Sequence, residues 1–352
     1  MALMRAYRLL EWGKAPEFVD VAVPEPGPGE VRLRMKGAGL CRSDLDLMEA
    51  RAGEEPYATA VPAGFTLGHE NAGLVDACGP GVLDLAEGDA VAVHHVHSCG
   101  FCDYCLEGAE QHCGTFARGA VTLTRGLGLD GGLAEYLVVP RRDVVPIGSL
   151  DPVSVAPLTD AGLAAYRAVQ SVLHRLKPGS TAVVIGVGGL GSFGVQFLKL
   201  LSPATVIAVD RARDRQAYAL ELGADVAIDA DDRAREQIMD LTRGAGADAI
   251  IDFVGSQGSL DLASAVSRPM GRIALVGMGG GTLRVGWGHM ATGCEFAVSM
   301  GSTRKDLFDL CTLAATGRVR IDKETFALDA IDEAFARLRT GQLKGRAVIC
   351  LD

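Results

Sequence analysis

Through the middle of the chain, apolar positions fall in short β-branched runs separated by segments with helical spacing. "STAVVIG" (180–186) reads as a strand buried on both faces, and "ATVIAVD" (204–210) as its neighbour. "DVAID" (225–229), "ADAIIDFVG" (247–255) and "GRIALVGMG" (271–279) extend the series, with helical patterns at 211–222, 231–243 and 258–267 between them. This alternation predicts an α/β domain with a doubly wound parallel sheet over 154–300. The first 150 residues alternate over shorter stretches ("EVRLRMKGAG", "NAGLVDACG", "DAVAVHHV", "AEYLVVP"), each broken by Gly or Pro, as in a β-rich barrel-like domain. "FALDAIDEAFARLRTGQLKGRAVICLD" (326–352) predicts one amphipathic helix and a closing strand that rejoins this first domain. The expected organisation is therefore 1–153 plus 301–352, with 154–300 inserted.

Composition narrows the function. A net charge of -10 and the lack of a dense Lys/Arg block exclude the basic face that a nucleic-acid partner requires. No apolar run is long enough to span a bilayer. The N-terminal "MALMRAYRLLEWGKAPEF" is interrupted by charges throughout and lacks a signal-peptide core, so a cytoplasmic location is expected. Without an export signal, nine cysteines point to reduced thiols and metal sites rather than disulfides.

Four of them fall in "SCGFCDYCLEGAEQHCG" (98–114), where Cys99, Cys102, Cys105 and Cys113 have the spacing C-x2-C-x2-C-x7-C. Two-residue gaps let thiolates converge on one cation, and four sulfurs fill a tetrahedral zinc shell with no open position. The site is expected to be structural, in a lobe over 95–115. His112 beside Cys113 is not needed as a ligand.

Directly after the strand at 180–186, Gly186, Gly188 and Gly191 match G-x-G-x-x-G, with Gly189 and Leu190 completing the turn into a helix. Such a turn brings a dinucleotide pyrophosphate against free helix amides. The second strand ends in Asp210, at the distance where a carboxylate accepts from both adenosine ribose hydroxyls and repels a 2′-phosphate. The pattern predicts NAD(H), although Arg211 next door is able to tolerate a phosphate. Cys41, in "GAGLCRSDLDLM" (37–48), is left open by its own stretch: nucleophile, ligand and buried small residue all fit.

"GLCRSD", "LGHENAG", the four-cysteine lobe, "APLTDAG", "GVGGLG" and "KGRAVI" follow one another in an order that resembles the zinc-dependent medium-chain alcohol dehydrogenases, over essentially the whole chain. The "PLTDAGL" form is most similar to bacterial NAD-dependent secondary-alcohol dehydrogenases with an Asp ligand. The resemblance implies a Rossmann sheet inserted in a GroES-like catalytic domain, two Zn2+ per chain and a homodimer or homotetramer. It makes Cys41, His69 and Asp160 the catalytic zinc ligands, leaving one corner for substrate oxygen. Asp160 departs from the Cys2His pattern by replacing a thiolate with a carboxylate. Glu70 becomes an alternative fourth ligand when substrate is absent.

By the same resemblance Arg42 and Arg346 contact the cofactor pyrophosphate, Ser43 passes on the substrate proton, and Asp44 fixes the His69 tautomer. Asp46 stands where many relatives end the proton relay in a histidine. In "VHHVHSC" (93–99), His95 falls at a substrate-pocket position; on an alternating strand it points away from His94. The loops at 48–65 and 116–131 shape the rest of the pocket. The implied activity is hydride transfer between an alcohol or ketone, of the secondary type, and NAD(H). A polyol or sugar-alcohol dehydrogenase is the alternative, and a non-catalytic nucleotide-binding protein a remote one.

Overall fold

The computed structural model describes residues 2–53, 61–118 and 121–351. Parts of both pocket loops, 54–60 and 119–120, therefore lie outside the described residues. The chain divides into two compact units, Met1–Leu163 with Gly301–Asp352, and Ala164–Met300. The segment 154–163, expected in the α/β part, thus belongs to the first unit. Its helical turns pack there: Val153 and Ala156 sit against Ala72 and Val348.

The first unit is built on the strand Glu30–Leu40, whose alternate residues Val31, Leu33 and Met35 are fully buried. One edge pairs antiparallel with Glu70–Cys78, and the other is shared by Tyr136–Pro140 and Arg346–Cys350. Ala90–Val93 and Val144–Pro146 extend the sheet on one side and Lys323–Ala327 on the other. The closing strand expected at the C-terminus is Arg346–Cys350, preceded by the amphipathic helix Ile331–Thr340. That helix contributes Ile331, Ala334 and Phe335 to the core formed with Leu33, Leu40 and Leu47. It stops at Gly341, whose φ of 71° is left-handed, so the glycine closes the last turn without Cβ strain.

The second unit is a six-stranded parallel sheet. Its order is Val226–Asp229, Thr205–Asp210, Thr181–Ile185, Ala247–Asp252, Ser267–Leu275 and Glu295–Val298. Strand order reverses beside Thr181–Ile185, which creates the switch point where such sheets bind ligands. Continuous burial of Val183, Val184, Ile207, Ile250 and Ile251 follows from cover on both faces. No helix among the described residues is long and apolar enough to cross a membrane.

Candidate metal and cofactor sites

Cys41 stands where the strand Glu30–Leu40 gives way to the helix Arg42–Glu49. Asp44 fixes this junction: its Oδ2 accepts from the Cys41 amide at 2.8 Å. Its other oxygen lies 3.2 Å from Nδ1 of His69, and Nε2 of the ring faces the opposite side. On that side Nε2 is 3.4 Å from Oδ2 of Asp160, which follows the tight turn Ala156–Thr159. One donor atom each of Cys41, His69 and Asp160 lies within 4.8 Å of the others.

The electrostatics of this cluster call for a cation. Burial alone would keep His69 neutral, yet the Asp44 charge and the Asp160 hydrogen bond hold it protonated well above its usual range. Burial would raise Asp160, but the His69 hydrogen bond and charge, with His95 and Arg346, hold it well below the usual carboxylate range. A sulfur, an imidazole nitrogen and a carboxylate oxygen form a donor set that suits Zn2+, and three donors leave a position open.

Glu70 follows as the first residue of its strand, opposite Gly39, where any Cβ would collide with the glutamate side chain. Glu70 is fully buried; burial pushes its carboxyl up to about 8 against the pull of Arg346, with which it is ion-paired. Among the described residues its Oε2 has no hydrogen-bond partner. Arg346, expected at the pyrophosphate, is itself buried and engaged with Glu70. Ser43 Oγ is 3.7 Å from Cys41 Sγ. Arg42 and Asp46 lie exposed on the same helix, away from the ligand cluster's buried face.

His95 differs from its expected geometry. The strand Ala90–Val93 stops before it, so strand alternation does not carry through. The His94 and His95 rings stack at 5.8 Å and 24°. His94 donates from Nε2 to the Ser302 carbonyl at 3.0 Å, and burial pushes its pKa down to about 3. The His95 ring lies 6.2 Å from that of His69, with Nε2 4.0 Å from Asp160 Oδ1. Burial lowers its pKa, against the pull of the Asp160 charge. Thr159 went unnoticed in the sequence although it adjoins Asp160: its carbonyl accepts from His95 Nδ1 at 2.8 Å.

In the same unit, Cys99, Cys102, Cys105 and Cys113 also bring their sulfurs within 4.8 Å of one another. None is in a disulfide. Amides of Cys99 and Cys102 donate to Cys113 and Cys99 sulfurs, both at 3.3 Å, which favours thiolates. The Thr115 hydroxyl leads the causes that draw Cys99 down to about 5. His112 is exposed against Tyr104, outside this shell.

In the second unit Gly186 leaves its strand with φ 86°, a left-handed turn. A Cβ on Gly191 would strike the Gly186 carbonyl, so the helix Gly191–Leu201 begins tight against the turn. A Cβ on Gly188 would meet no atom of the described residues within 4 Å, so the space there is open to an outside group. The amides of Gly189, Leu190 and Gly191 have no backbone partner among the described residues. Asp210 spans the turn: its oxygens accept from Val187 N at 2.7 Å and Ala212 N at 3.0 Å. Arg211 is exposed beside it. An anion-receptive glycine turn with a carboxylate at the next strand end fits a dinucleotide.

A β-rich unit with a cysteine lobe and a three-donor cluster, joined to a dinucleotide-type sheet, defines a class of metal-dependent dehydrogenases. Residues 27–149 match the alcohol dehydrogenase GroES-like domain, and 189–315 the zinc-binding dehydrogenase domain. An NAD-dependent alcohol dehydrogenase of Sulfurisphaera tokodaii is 33% identical over 98% of this chain and 99% of its own. A D-arabinose 1-dehydrogenase (NADP(+)) of Saccharolobus solfataricus is 32% identical over 99% of this chain and 98% of its own. The crystal structure of the Aeropyrum pernix alcohol dehydrogenase superposes with a TM-score of 0.88 at 37% identity, covering 98% of this chain and 99% of that one. The chain belongs to the zinc-dependent medium-chain alcohol dehydrogenase family and is an enzyme.

Proposed function

We propose that this enzyme interconverts secondary alcohols and ketones with NAD(H), using one catalytic and one structural Zn2+ per chain. The observation that carries the reading is the convergence of Cys41, His69 and Asp160, one donor atom of each within 4.8 Å of the others, a three-ligand set of the catalytic kind. These three are assigned the catalytic ion, with Glu70 as the alternative fourth ligand, and the four lobe cysteines the structural one. Bound zinc supplies Lewis acidity toward the substrate oxygen, and the nicotinamide supplies the hydride acceptor or donor.

The chain's own residues do the remainder. Asp44 holds the His69 tautomer and, through the Cys41 amide, the backbone of a second ligand. Ser43 Oγ accepts the hydroxyl proton as the carbonyl forms while its own proton passes on toward solvent, and the relay runs backward in the reverse direction. Arg346 engages the Glu70 carboxyl and holds it back from the ion. The turn formed by Gly186, Gly188, Gly189, Leu190 and Gly191 receives the pyrophosphate, together with Arg42, and Asp210 receives the adenosine ribose. Asp210 is the reason for favouring NAD, since a 2′-phosphate would meet its charge.

A polyol or sugar substrate is the second reading, favoured by a buried imidazole beside the ligands and by the D-arabinose 1-dehydrogenase relative. The reading also includes a homo-oligomer joined at the edge strand Glu295–Val298, supported by the exposed Trp287 (95%) and Val298 (69%) in the same unit. A cytoplasmic, reducing location is supported by four thiols committed to a metal shell. The direct test is NADH formation from a panel of secondary alcohols and polyols, before and after chelation. Turnover lost on chelation and restored by Zn2+ is the expected result; alcohol oxidation indifferent to chelation, after zinc is measurably gone, overturns it.

A further inference from the structure

We infer that the cysteine lobe caps the helix Arg304–Ala315 through Glu110, so that metal held in the lobe keeps the first turn of that helix closed. The inference rests on the structural-zinc reading above and gives the lobe a task outside its own fold. It starts from where Glu110 lies in the chain. The residue opens the short turn Glu110–His112, between the third and fourth lobe cysteines, and is buried. Its Oε1 accepts from the Arg304 amide at 2.7 Å and from Arg304 Nε at 3.1 Å. Arg304 is the first residue of a helix whose own cap is Thr303. The Thr303 hydroxyl accepts from the Asp306 amide, and the Asp306 carboxylate from the Thr303 amide. This box leaves the Arg304 amide without an acceptor inside the helix, and Glu110 supplies it. A carboxylate at this end also meets the positive pole of the helix.

Further contacts fasten the same segment to the lobe. Arg304 Nη1 donates to the Arg142 carbonyl at 3.5 Å, and Arg142 Nη1 in turn to the Cys99 carbonyl, so Arg304 is tied to both ends of the lobe. Gly301, with φ 61°, comes so close that a Cβ there would lie 2.9 Å from Cβ of Gln111. Gly301 is also where the chain re-enters the first unit. The lobe itself has little apolar substance to hold Glu110 in place. Its buried cluster is Cys99, Cys105 and Cys113, with Cys102 and Phe116 packed against them, whereas Phe101, Tyr104 and Leu106 face solvent. With so small a core, the turn that carries Glu110 depends on the cation the four sulfurs share. Emptying the lobe therefore takes away the acceptor on Arg304 and loosens the turn behind it, where the Leu307 amide reaches the Thr303 carbonyl at 3.2 Å.

The test is hydrogen–deuterium exchange over 301–308, with the helix Ile331–Thr340 of the same unit as internal reference and zinc per chain counted in every sample. It compares zinc-loaded wild type, Glu110→Ala, Glu110→Gln and the lobe variant Cys102→Ser/Cys105→Ser. Glu110→Ala is expected to exchange about tenfold faster over 301–308, with the reference helix unchanged. Glu110→Gln keeps a carbonyl oxygen for the Arg304 amide and falls between. The lobe variant, holding one zinc, matches Glu110→Ala, and adding Glu110→Ala to it accelerates exchange no further. Coupling of this kind is reciprocal, so Glu110→Ala also weakens zinc in the lobe by about the same factor, read by chelator competition. A cap that merely stabilised the helix would leave that competition unmoved. Wild-type protection over 301–308 in Glu110→Ala, or in the lobe variant once its zinc is gone, overturns the inference and leaves the zinc reading intact. If the lobe variant loses protection in the reference helix as well, the Glu110 variants and the zinc competition decide. One zinc per chain in wild type, unchanged in the lobe variant, overturns the structural-zinc reading, and the cap falls with it.

Discussion

At the scale of single residues, the account depends on buried charges whose partners lie far away in sequence. Asp143 is one outside the ligand cluster: it is fully buried, its carboxylate oxygens lack hydrogen-bond partners among the described residues, and Arg125 and Arg142 stand 3.8 Å off. Burial pushes its carboxyl up to about 6 from an ordinary 3.8, with the two arginines pulling the other way. The folded protein thus holds this proton more tightly than the unfolded chain. Its stabilising effect is complete below about pH 4 and is lost as the pH rises to about 6. Wild type is therefore expected to lose up to about 3 kcal/mol relative to Asp143→Asn across that window, read from denaturant unfolding of both proteins. Parallel stability profiles would place the proton elsewhere. Residues of this kind divide what was legible in the sequence from what was not. The four lobe cysteines announce themselves by spacing, whereas Cys41, His69 and Asp160 stand out only through the resemblance of their motifs to the family. The Glu70–Arg346 pair and the Thr159 carbonyl on His95 do not, because both arise from chain segments that only folding brings together.

At the scale of elements, the glycine turn separates packing from binding. Gly191 is required by the fold, since a side chain there would strike the Gly186 carbonyl; Gly188 is not, since a Cβ would meet open space. Gly188→Ala is accordingly expected to keep the wild-type melting temperature without cofactor while weakening NADH binding about tenfold or more, measured by fluorescence titration. Wild-type affinity would show that the opening at Gly188 is not where the dinucleotide sits. The parallel strands around this turn are readable because burial on both faces leaves unbroken apolar runs such as "AVVI" (182–185) and "VIAV" (206–209). Lys323–Ala327 and Glu295–Val298 escaped the same reading. Both are edge strands, short and partly exposed, and their polar positions carry no periodic signal. His95 was misjudged for a related reason: alternation was extended past Val93, where the strand ends and the two histidine rings stack.

At the scale of the whole molecule, the insertion of an α/β unit into a β-rich one was visible as a change of hydrophobic period. The chain passes between the two units at Leu163/Ala164 and at Met300/Gly301. Asp160 lies just before the first passage, which has a chemical consequence. It keeps all three proposed catalytic ligands on one unit, with Cys41 and His69. The cysteine lobe belongs to that unit as well, and the two donor clusters share no residue. Removing one ligand from the first cluster should leave the other filled. The most direct measurement is zinc per chain in purified wild type and Asp160→Ala, with circular dichroism to follow the fold. Two zincs falling to about one, with fold retained and NAD-linked alcohol oxidation abolished, is the expected result. Two zincs in both proteins, or wild-type turnover after the substitution, would contradict Asp160 as a ligand and with it the catalytic site described for this chain.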